Sequence, residues 1–262
     1  MVACNCYLII DVNGSFRGSD GVTPLRPARL FETRAGAATV DNRYAGTGAR
    51  SAGSVTEVKV GGRGGVSTTA AAVSLNVTAI NPTDHGYATV YPCDAPLPNA
   101  SNLNYKPGET RPNAVITKLS SSGSVCVYTS GSTDLVIDVN AAFGDTSGMA
   151  PIVPVRLLDS RPEARFAAES ITRVPIAGRA GGITAAQAVS LNVTAHDPTD
   201  FGFVTVFPCG EPVPNASNLN FRPGETSPNA VIARLGQAGD VCIFSSAATH
   251  LLVDVNATFA NG

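Results

Sequence analysis

The stretch "AVSLNVTAINPTDHGYATVYPC" at residues 72–93 decides the architecture, because it returns at residues 188–209 as "AVSLNVTAHDPTDFGFVTVFPC". In "VSLNVT", the apolar residues Val73, Leu75 and Val77 alternate with polar ones. Such alternation places successive side chains on opposite faces of a β-strand. The intervening "NPTDHG" contains Pro, Asp and Gly, which favour a turn. The stretch therefore predicts two strands joined by a turn, present twice in the chain.

The same offset of 116 residues relates most of the remaining sequence. It carries "PNASNLN" from 98–104 onto 214–220, and "VIDVNAAF" at 136–143 onto "LVDVNATF" at 252–259. We therefore predict two homologous domains in tandem, with a linker near 144–151. The predicted division is an N-terminal strand and linker at 1–21, a first domain at 22–146 and a second domain at 152–262.

The pattern within each copy predicts an all-β fold. Short runs of period 2 are broken by Gly, Pro, Asn and Asp, which is typical of antiparallel strands joined by turns. Eight strands of this spacing favour a β-sandwich, so we expect two tandem antiparallel sandwich-like domains. A recurring aliphatic-x-Asn motif leaves a three-fold trefoil or β-prism as the alternative. The strands predicted in the first copy are 28–34, 54–60, 71–80, 86–92, 101–105, 113–119, 124–129 and 134–143.

Composition and charge limit the classes of partner. The 262 residues include 18 Lys and Arg against 20 Asp and Glu, a net charge of −2. This balance does not favour nucleic acid or an anionic membrane as the main partner. No apolar run approaches the roughly 20 residues that a membrane span needs. A charged fraction of 15%, with 26 Gly and 18 Pro, fits an extracellular β domain.

Four of the six cysteines repeat between the copies. Cys93 and Cys126 are 33 residues apart, and so are Cys209 and Cys242. One pair in each domain predicts two intradomain disulfides and an oxidising compartment. A zinc site or a redox pair is the rival interpretation. Zinc usually needs four ligands at short spacings, and the three histidines do not repeat, so we expect no metal site.

The N-terminus carries an additional copy of one strand. "CYLIIDVNGSF" at 6–16 matches the closing strand of each domain, with Leu8, Ile10 and Val12 on one face. An uncovered apolar strand is a liability that proteins cover or use. We predict that this strand adds to a sheet, either in its own first domain or in a neighbouring molecule.

Cys4 and Cys6 lie just before that strand and have no equivalents in the matching strands. A bond between them would close a small, strained ring. The alternatives are a cross-link to another chain and buried free thiols, and we favour the cross-link.

Polar positions alternate with the core positions and are candidates for a glycan-binding groove. The asparagines at these positions are Asn76, Asn104, Asn192 and Asn220. Their side-chain amides can form hydrogen bonds with sugar hydroxyls. The simpler interpretation is a solvated outer sheet face, or side chains that tie down neighbouring loops.

The sequence does not favour catalysis. The histidines His85, His196 and His250 occupy different places in the two copies, so a Ser-His-Asp arrangement has no support. Repeated carboxylates lie on turns or near strand ends, where structural roles are common, and a paired-carboxylate glycosidase is a minor alternative. We predict no catalytic residues and no cofactor.

The motifs "RLLDSR", "SLNVTA", "GFVTVFPC", "ASNLN", "PNAVI" and "LLVDVNATF", in this order, resemble a repeat module of secreted bacterial proteins, especially from actinobacteria. The resemblance covers nearly the whole chain. It implies an accessory or surface domain, arrayed in tandem or attached to hydrolases, and it brings no catalytic residues.

Two functions follow as hypotheses. The first is a non-catalytic structural or adhesive module of an extracellular or cell-surface assembly, which associates with itself through its N-terminal strand or with other surface components. The alternative is an accessory module that binds cell-wall or other polysaccharide.

Overall fold

A computed structural model describes residues 11–12, 15–16, 21–144, 148–179 and 186–260. These residues form two all-β domains of eight strands each. The first domain contains β1 (Val22–Glu32), β2 (Ser54–Lys59), β3 (Ala72–Ile80), β4 (Gly86–Pro92), β5 (Leu103–Tyr105), β6 (Thr110–Lys118), β7 (Ser124–Thr129) and β8 (Asp134–Phe143). The second contains β9 (Met149–Asp159), β10 (Ser170–Pro175), β11 (Ala188–His196), β12 (Gly202–Pro208), β13 (Leu219–Phe221), β14 (Thr226–Arg234), β15 (Asp240–Ser245) and β16 (His250–Phe259).

Each domain packs a long sheet against a short sheet, and all pairings are antiparallel. The long sheets have the orders β1-β8-β3-β6 and β9-β16-β11-β14. The short sheets have the orders β2-β7-β4-β5 and β10-β15-β12-β13. The topology is the same in both domains, as the repeat predicts. The predicted β-sandwich is confirmed, and the trefoil or β-prism alternative is wrong.

The alternation in β3 and β8 produces the core of the first domain. Val73, Leu75 and Val77 of β3 are fully buried, as are Ile137 and Val139 of β8. Together with the inner residues of the short sheet, they form one continuous apolar cluster. The second domain has an equivalent cluster of its own. Burial of these side chains is the main favourable term for each fold.

Both predicted disulfides are present. Cys93 follows β4 and bonds Cys126 in β7, and Cys209 bonds Cys242 at the same place in the second domain. Each bond joins neighbouring strands of a short sheet, since Tyr91 of β4 is paired with Cys126.

The stretches "KPGE" at 106–109 and "RPGE" at 222–225 form turns. Gly108 and Gly224 take φ values of 71° and 69°, in the region where a side chain would be strained. In the first turn, Glu109 N–H donates to the carbonyl of Lys106, which closes a four-residue turn. This geometry is that of a type II turn with Gly at its third position.

In the first domain, β1 and β6 begin earlier than predicted, and β6 starts at Thr110 rather than at 113. β1 starts at Val22 rather than at 28, and it includes Pro24 and Pro27. Proline is tolerated there because β1 is an edge strand, with only β8 beside it. β9 likewise starts at Met149, so the predicted domain start at 152 falls inside a strand.

For the residues that the structure describes, the N-terminal segment does not add to a sheet of its own chain, and its addition to a neighbouring molecule stays a prediction. Residues 11–12 and 15–16 lie in no strand, and Val12 is 86% exposed rather than buried. Phe16 is instead held by aromatic contacts with Phe143 and Phe259. Leu8, Ile10, Cys4 and Cys6 lie outside the described residues.

Candidate functional site

The two domains meet through different surfaces. The open side of the first sandwich, between β5 and β6, packs on the outer face of the second domain's long sheet, where it meets β9, β14 and β16. At one end the contact is apolar and continuous with both long sheets. Its buried members are Ala72, Ile116, Phe143, Met149, Ala257 and Phe259.

A network of buried amide groups forms the centre of this interface. Asn113 Nδ2 donates to Asn192 Oδ1 over 2.9 Å, and Asn192 Nδ2 donates to the carbonyl of Ser101 over 2.5 Å. The N–H of Ala230 donates to Asn113 Oδ1 over 3.1 Å. A buried amide without partners costs free energy, so these bonds specify how the domains sit on each other.

Next to the amides lies a buried carboxylate. Asp254 Oδ2 accepts the N–H of Ser101 over 3.2 Å and Nη2 of Arg156 over 3.0 Å. Burial raises the pKa of Asp254, and the hydrogen bond and charge of Arg156 oppose that rise. A buried charge of this kind needs its partner, since breaking such a pair leaves one charge uncompensated.

Ion pairs lie at the rim of the interface between the two domains. Glu225 of the second domain accepts Nη2 of Arg111 at 2.9 Å and lies 3.2 Å from Nζ of Lys106. Burial disfavours ionised Glu225, but the two cations outweigh it and lower its pKa. Such partly exposed pairs contribute little to stability and more to the choice of partner.

Equivalent residues of the two domains differ in exposure because the first domain covers the outer face of the second domain's long sheet. The side chain of Asp254 is 1% exposed, whereas its equivalent Asp138 is 24% exposed. Asn192 is buried, and its equivalent Asn76 is half-buried. For the residues that the structure describes, the first domain therefore presents the equivalent outer face without another domain covering it.

A cleft of about 530 Å³ opens beside the amide network, between the two domains. Tyr87, Asn99 and Asn104 line its first-domain side. The second-domain side is formed by side chains of β9, β11 and β16 and by the turn before β14. Its polar residues include Arg156, Arg161, Thr194, His196 and Glu225.

Charges on the cleft wall are held in fixed positions. Arg161 Nε donates to Asp159 Oδ1 over 2.9 Å, and this hydrogen bond with Arg161 is the main cause that lowers the pKa of Asp159 to about 2. His196 Nδ1 lies 2.8 Å from Thr226 Oγ1, and burial lowers the pKa of this histidine. The wall therefore offers fixed hydrogen-bonding groups to a polar ligand.

The four asparagines predicted as a glycan groove do not form one site. Asn104 lines the cleft, while its equivalent Asn220 is exposed on the free side of the second domain. Asn76 is half-buried on the uncovered long sheet. Asn192 is buried in the interface, so its assignment to a ligand groove is wrong. Its amide binds the other domain instead.

The "ASNLN" motif ties down the edge of each sandwich. Leu103 is fully buried in the core. Asn102 Oδ1 accepts the N–H of Val90 over 2.7 Å, and its carbonyl accepts Nδ2 of Asn113. Asn102 therefore joins strand β4 to strand β6.

Sequence reasoning missed Asn113, Arg156 and Asp254 as interface residues. A signal was present, because "PNAVI" and "DVN" keep the same polar residues in both copies. The sequence does not show that one copy of each motif becomes buried between the domains, and the arrangement of the two domains does.

The described residues contain no group of three or more His, Cys, Asp or Glu side chains that could hold a metal ion. In the part of the chain that the structure describes, no segment forms an apolar helix of the length that a bilayer crossing requires.

Comparison with known proteins gives little. No protein-family model matches the chain, and no curated protein matches it. Among solved structures, the chain is similar to the N-terminal CBM22-1–CBM22-2 tandem domain of Xyn10C from Paenibacillus barcinonensis, at 8% identity and a TM-score of 0.24. The match covers 88% of this chain and 98% of that one. A likeness at this TM-score carries no argument about function.

Proposed function

We propose that the chain is a non-catalytic structural or adhesive module of an extracellular or cell-surface assembly. The buried polar interface carries this proposal. Asn113, Asn192 and Asp254 form hydrogen bonds between the domains. Apolar contacts alone would allow one domain to slide on the other. Because each group has a specific partner, the two domains form one rigid unit, as a spacer or a building block requires.

The disulfides support the proposed location. Cys93–Cys126 and Cys209–Cys242 are consistent with an oxidising compartment. The chain is therefore assigned to the outside of the cell or to its surface.

Small-angle X-ray scattering of the full chain, at dilution, tests the rigid unit. The wild-type curve should fit the two domains in the single arrangement described above. Asn192→Arg places a charge inside the interface and should produce a broader distribution of interatomic distances. Asn76→Arg makes the same change at the equivalent uncovered position and should leave the curve unchanged. A wild-type curve that requires many domain arrangements would contradict the proposal.

The cleft supports a second candidate function, which is binding of a polysaccharide. It combines Tyr87, a residue that is 38% exposed, with the amide of Asn104 and the guanidinium of Arg161. Aromatic rings stack on sugar rings, and the polar groups suit sugar hydroxyls.

A matched pair of variants tests that candidate. Asn104→Ala removes an amide from the cleft, and Asn220→Ala removes its equivalent outside the cleft. Isothermal titration with soluble cell-wall fragments should show saturable binding that only Asn104→Ala weakens. Equal effects of the two variants, or no binding by the wild type, would exclude the cleft as a glycan site.

A further inference from the structure

Equivalents of both halves of the interdomain contact are present a second time, and the described residues leave most of each surface accessible. The first domain displays the outer face of its long sheet, with Asn76 and Asp138 half-buried. The second domain displays the open side between β13 and β14. There Ser217 and Asn229 are partly accessible, whereas their first-domain equivalents Ser101 and Asn113 are buried by docking.

The uncovered long-sheet face already has its docking geometry. Arg29 Nε and Nη2 donate to Asp138 at 2.9 and 3.3 Å. Arg156 binds Asp254 through the same two nitrogens inside the interface. Arg29 also pairs with Glu32, as Arg156 does with its own neighbouring carboxylate. The polar part of the face needs no rearrangement to accept a partner, whereas Phe16, which packs against Phe143, has to move aside.

The uncovered edge of the second domain is prepared in the same way. Asn218 Oδ1 accepts the N–H of Val206 over 2.7 Å, matching the bond between Asn102 and Val90 in the first domain. Asn229 Nδ2 donates to the carbonyl of Asn218, and in the first domain Asn113 makes the equivalent bond. Preorganised groups lose less entropy on binding.

The contact is heterologous. Asn113 bonds Asn192 across the interface, but the reciprocal residues bond within their own domains: Asn229 to Asn218, and Asn76 to Thr78. A two-fold contact would use both pairs at once. A heterologous contact leaves one complementary surface at each end, and these are the two surfaces described above.

Phe16 shows that the apolar end of the interface accepts a third ring. It is the sequence equivalent of Phe143 and Phe259, the last residues of β8 and β16. Its ring centroid lies 6.1 Å from that of Phe143 and 5.5 Å from that of Phe259. Equivalent phenylalanines from three copies of the closing segment therefore pack together at this point.

We propose that a second copy of this chain docks the β13–β14 side of its second domain on the uncovered long sheet of the first domain. The contact repeats the interdomain interface between molecules, and it rests on the proposed structural function. Asn229 of the second copy bonds Asn76, and its Ser217 N–H bonds Asp138. At the rim, its Arg222 faces Glu109, as Lys106 faces Glu225 within the chain. The second copy's Phe259 takes the place that Phe16 fills here.

Sedimentation velocity of the full wild-type chain over a concentration series is the first test. The weight-average mass should rise with concentration to about twice the monomer mass or more, because a heterologous contact does not use up both surfaces. Asn76→Arg and Asn229→Arg each block one of the two surfaces and should each remain monomeric. Val55→Arg, at an exposed position on β2, is the control and should associate like wild type.

Mixing the two blocked variants tests whether the two surfaces bind each other. Asn76→Arg keeps the second-domain surface, and Asn229→Arg keeps the first-domain surface, so the mixture should form one-to-one dimers that do not grow. A wild type that stays monomeric throughout, or a mixture that stays monomeric while wild type associates, overturns the proposal. Thermal unfolding of each variant confirms that it folds.

Failure of the docking proposal can be distinguished from failure of the proposed function. The scattering experiment at dilution tests whether the two domains of one molecule are rigid, and it does not depend on association. A rigid monomer would overturn the docking proposal alone.

Discussion

Asn113 and Asn192 belong to different domains, and their side chains are joined by a hydrogen bond of 2.9 Å in the centre of the interface. Both residues are buried. Each amide has a second partner, because Asn113 also binds Asn102 and Asn192 also binds Ser101. A single relative placement of the domains satisfies all of these groups together.

The first prediction concerns the contribution of this amide to stability. Asn192→Ala leaves the Ser101 carbonyl without its donor and should lower the free energy of unfolding by about 1–3 kcal/mol. Asn76→Ala is the matched control. It removes the equivalent side chain from an uncovered face and should cost less than about 0.5 kcal/mol. Urea unfolding measures both, and equal losses would show that the interface adds nothing.

The second prediction concerns the disulfides. Replacing Cys93 and Cys126 together by Ser should lower the free energy of unfolding of the first domain by about 4 kcal/mol, because the bond closes a long loop in the unfolded chain. Non-reducing peptide mapping should recover this link and the Cys209–Cys242 link separately. Free thiols at all four positions in protein from its native compartment would contradict the extracellular assignment.

The third prediction concerns acid stability. The folded pKa of Asp159 is about 2, below the value of about 3.9 expected in the unfolded chain. Its ionised form therefore stabilises the fold. This contribution is complete above about pH 4 and is lost as the pH falls through about 2.

Asp159→Asn should therefore remove about 1–2 kcal/mol at neutral pH and flatten the dependence of stability on pH between about 4 and 2. Thermal melts across that range measure the slope. Glu163→Gln removes an exposed carboxylate nearby and serves as the control. A slope that Glu163→Gln changes as much as Asp159→Asn would assign the effect to overall charge.

Much of the fold could be predicted because its signals are local. Alternation around Leu75 identifies a core strand, and the repeated spacing of Cys93 and Cys126 identifies a disulfide. The docking could not be predicted in this way. Asn76 and Asn192 lie in the same six letters, "VSLNVT", yet one is half-buried and the other is in the interface. Their difference arises from contacts with a distant part of the chain.

The intrachain version of the N-terminal strand prediction does not hold for the described residues, for a similar reason. Val12 fits the alternation of a closing strand, but pairing requires a free sheet edge at the right place. In this chain the equivalent position between β1 and β3 is already occupied by β8. Val12 is accordingly exposed, and Phe16 contacts the aromatic residues at the interface instead.

Hydrogen exchange of four backbone amides tests the rigid, hydrogen-bonded interface most directly. The N–H groups of Ser101 and Ala230 donate across the interface, to Asp254 and Asn113. Their equivalents, Ser217 and Ala114, lie on the uncovered surfaces. In dilute wild-type protein, the first two amides should exchange much more slowly than the last two. Equal exchange within each equivalent pair would contradict a fixed interface between the two domains.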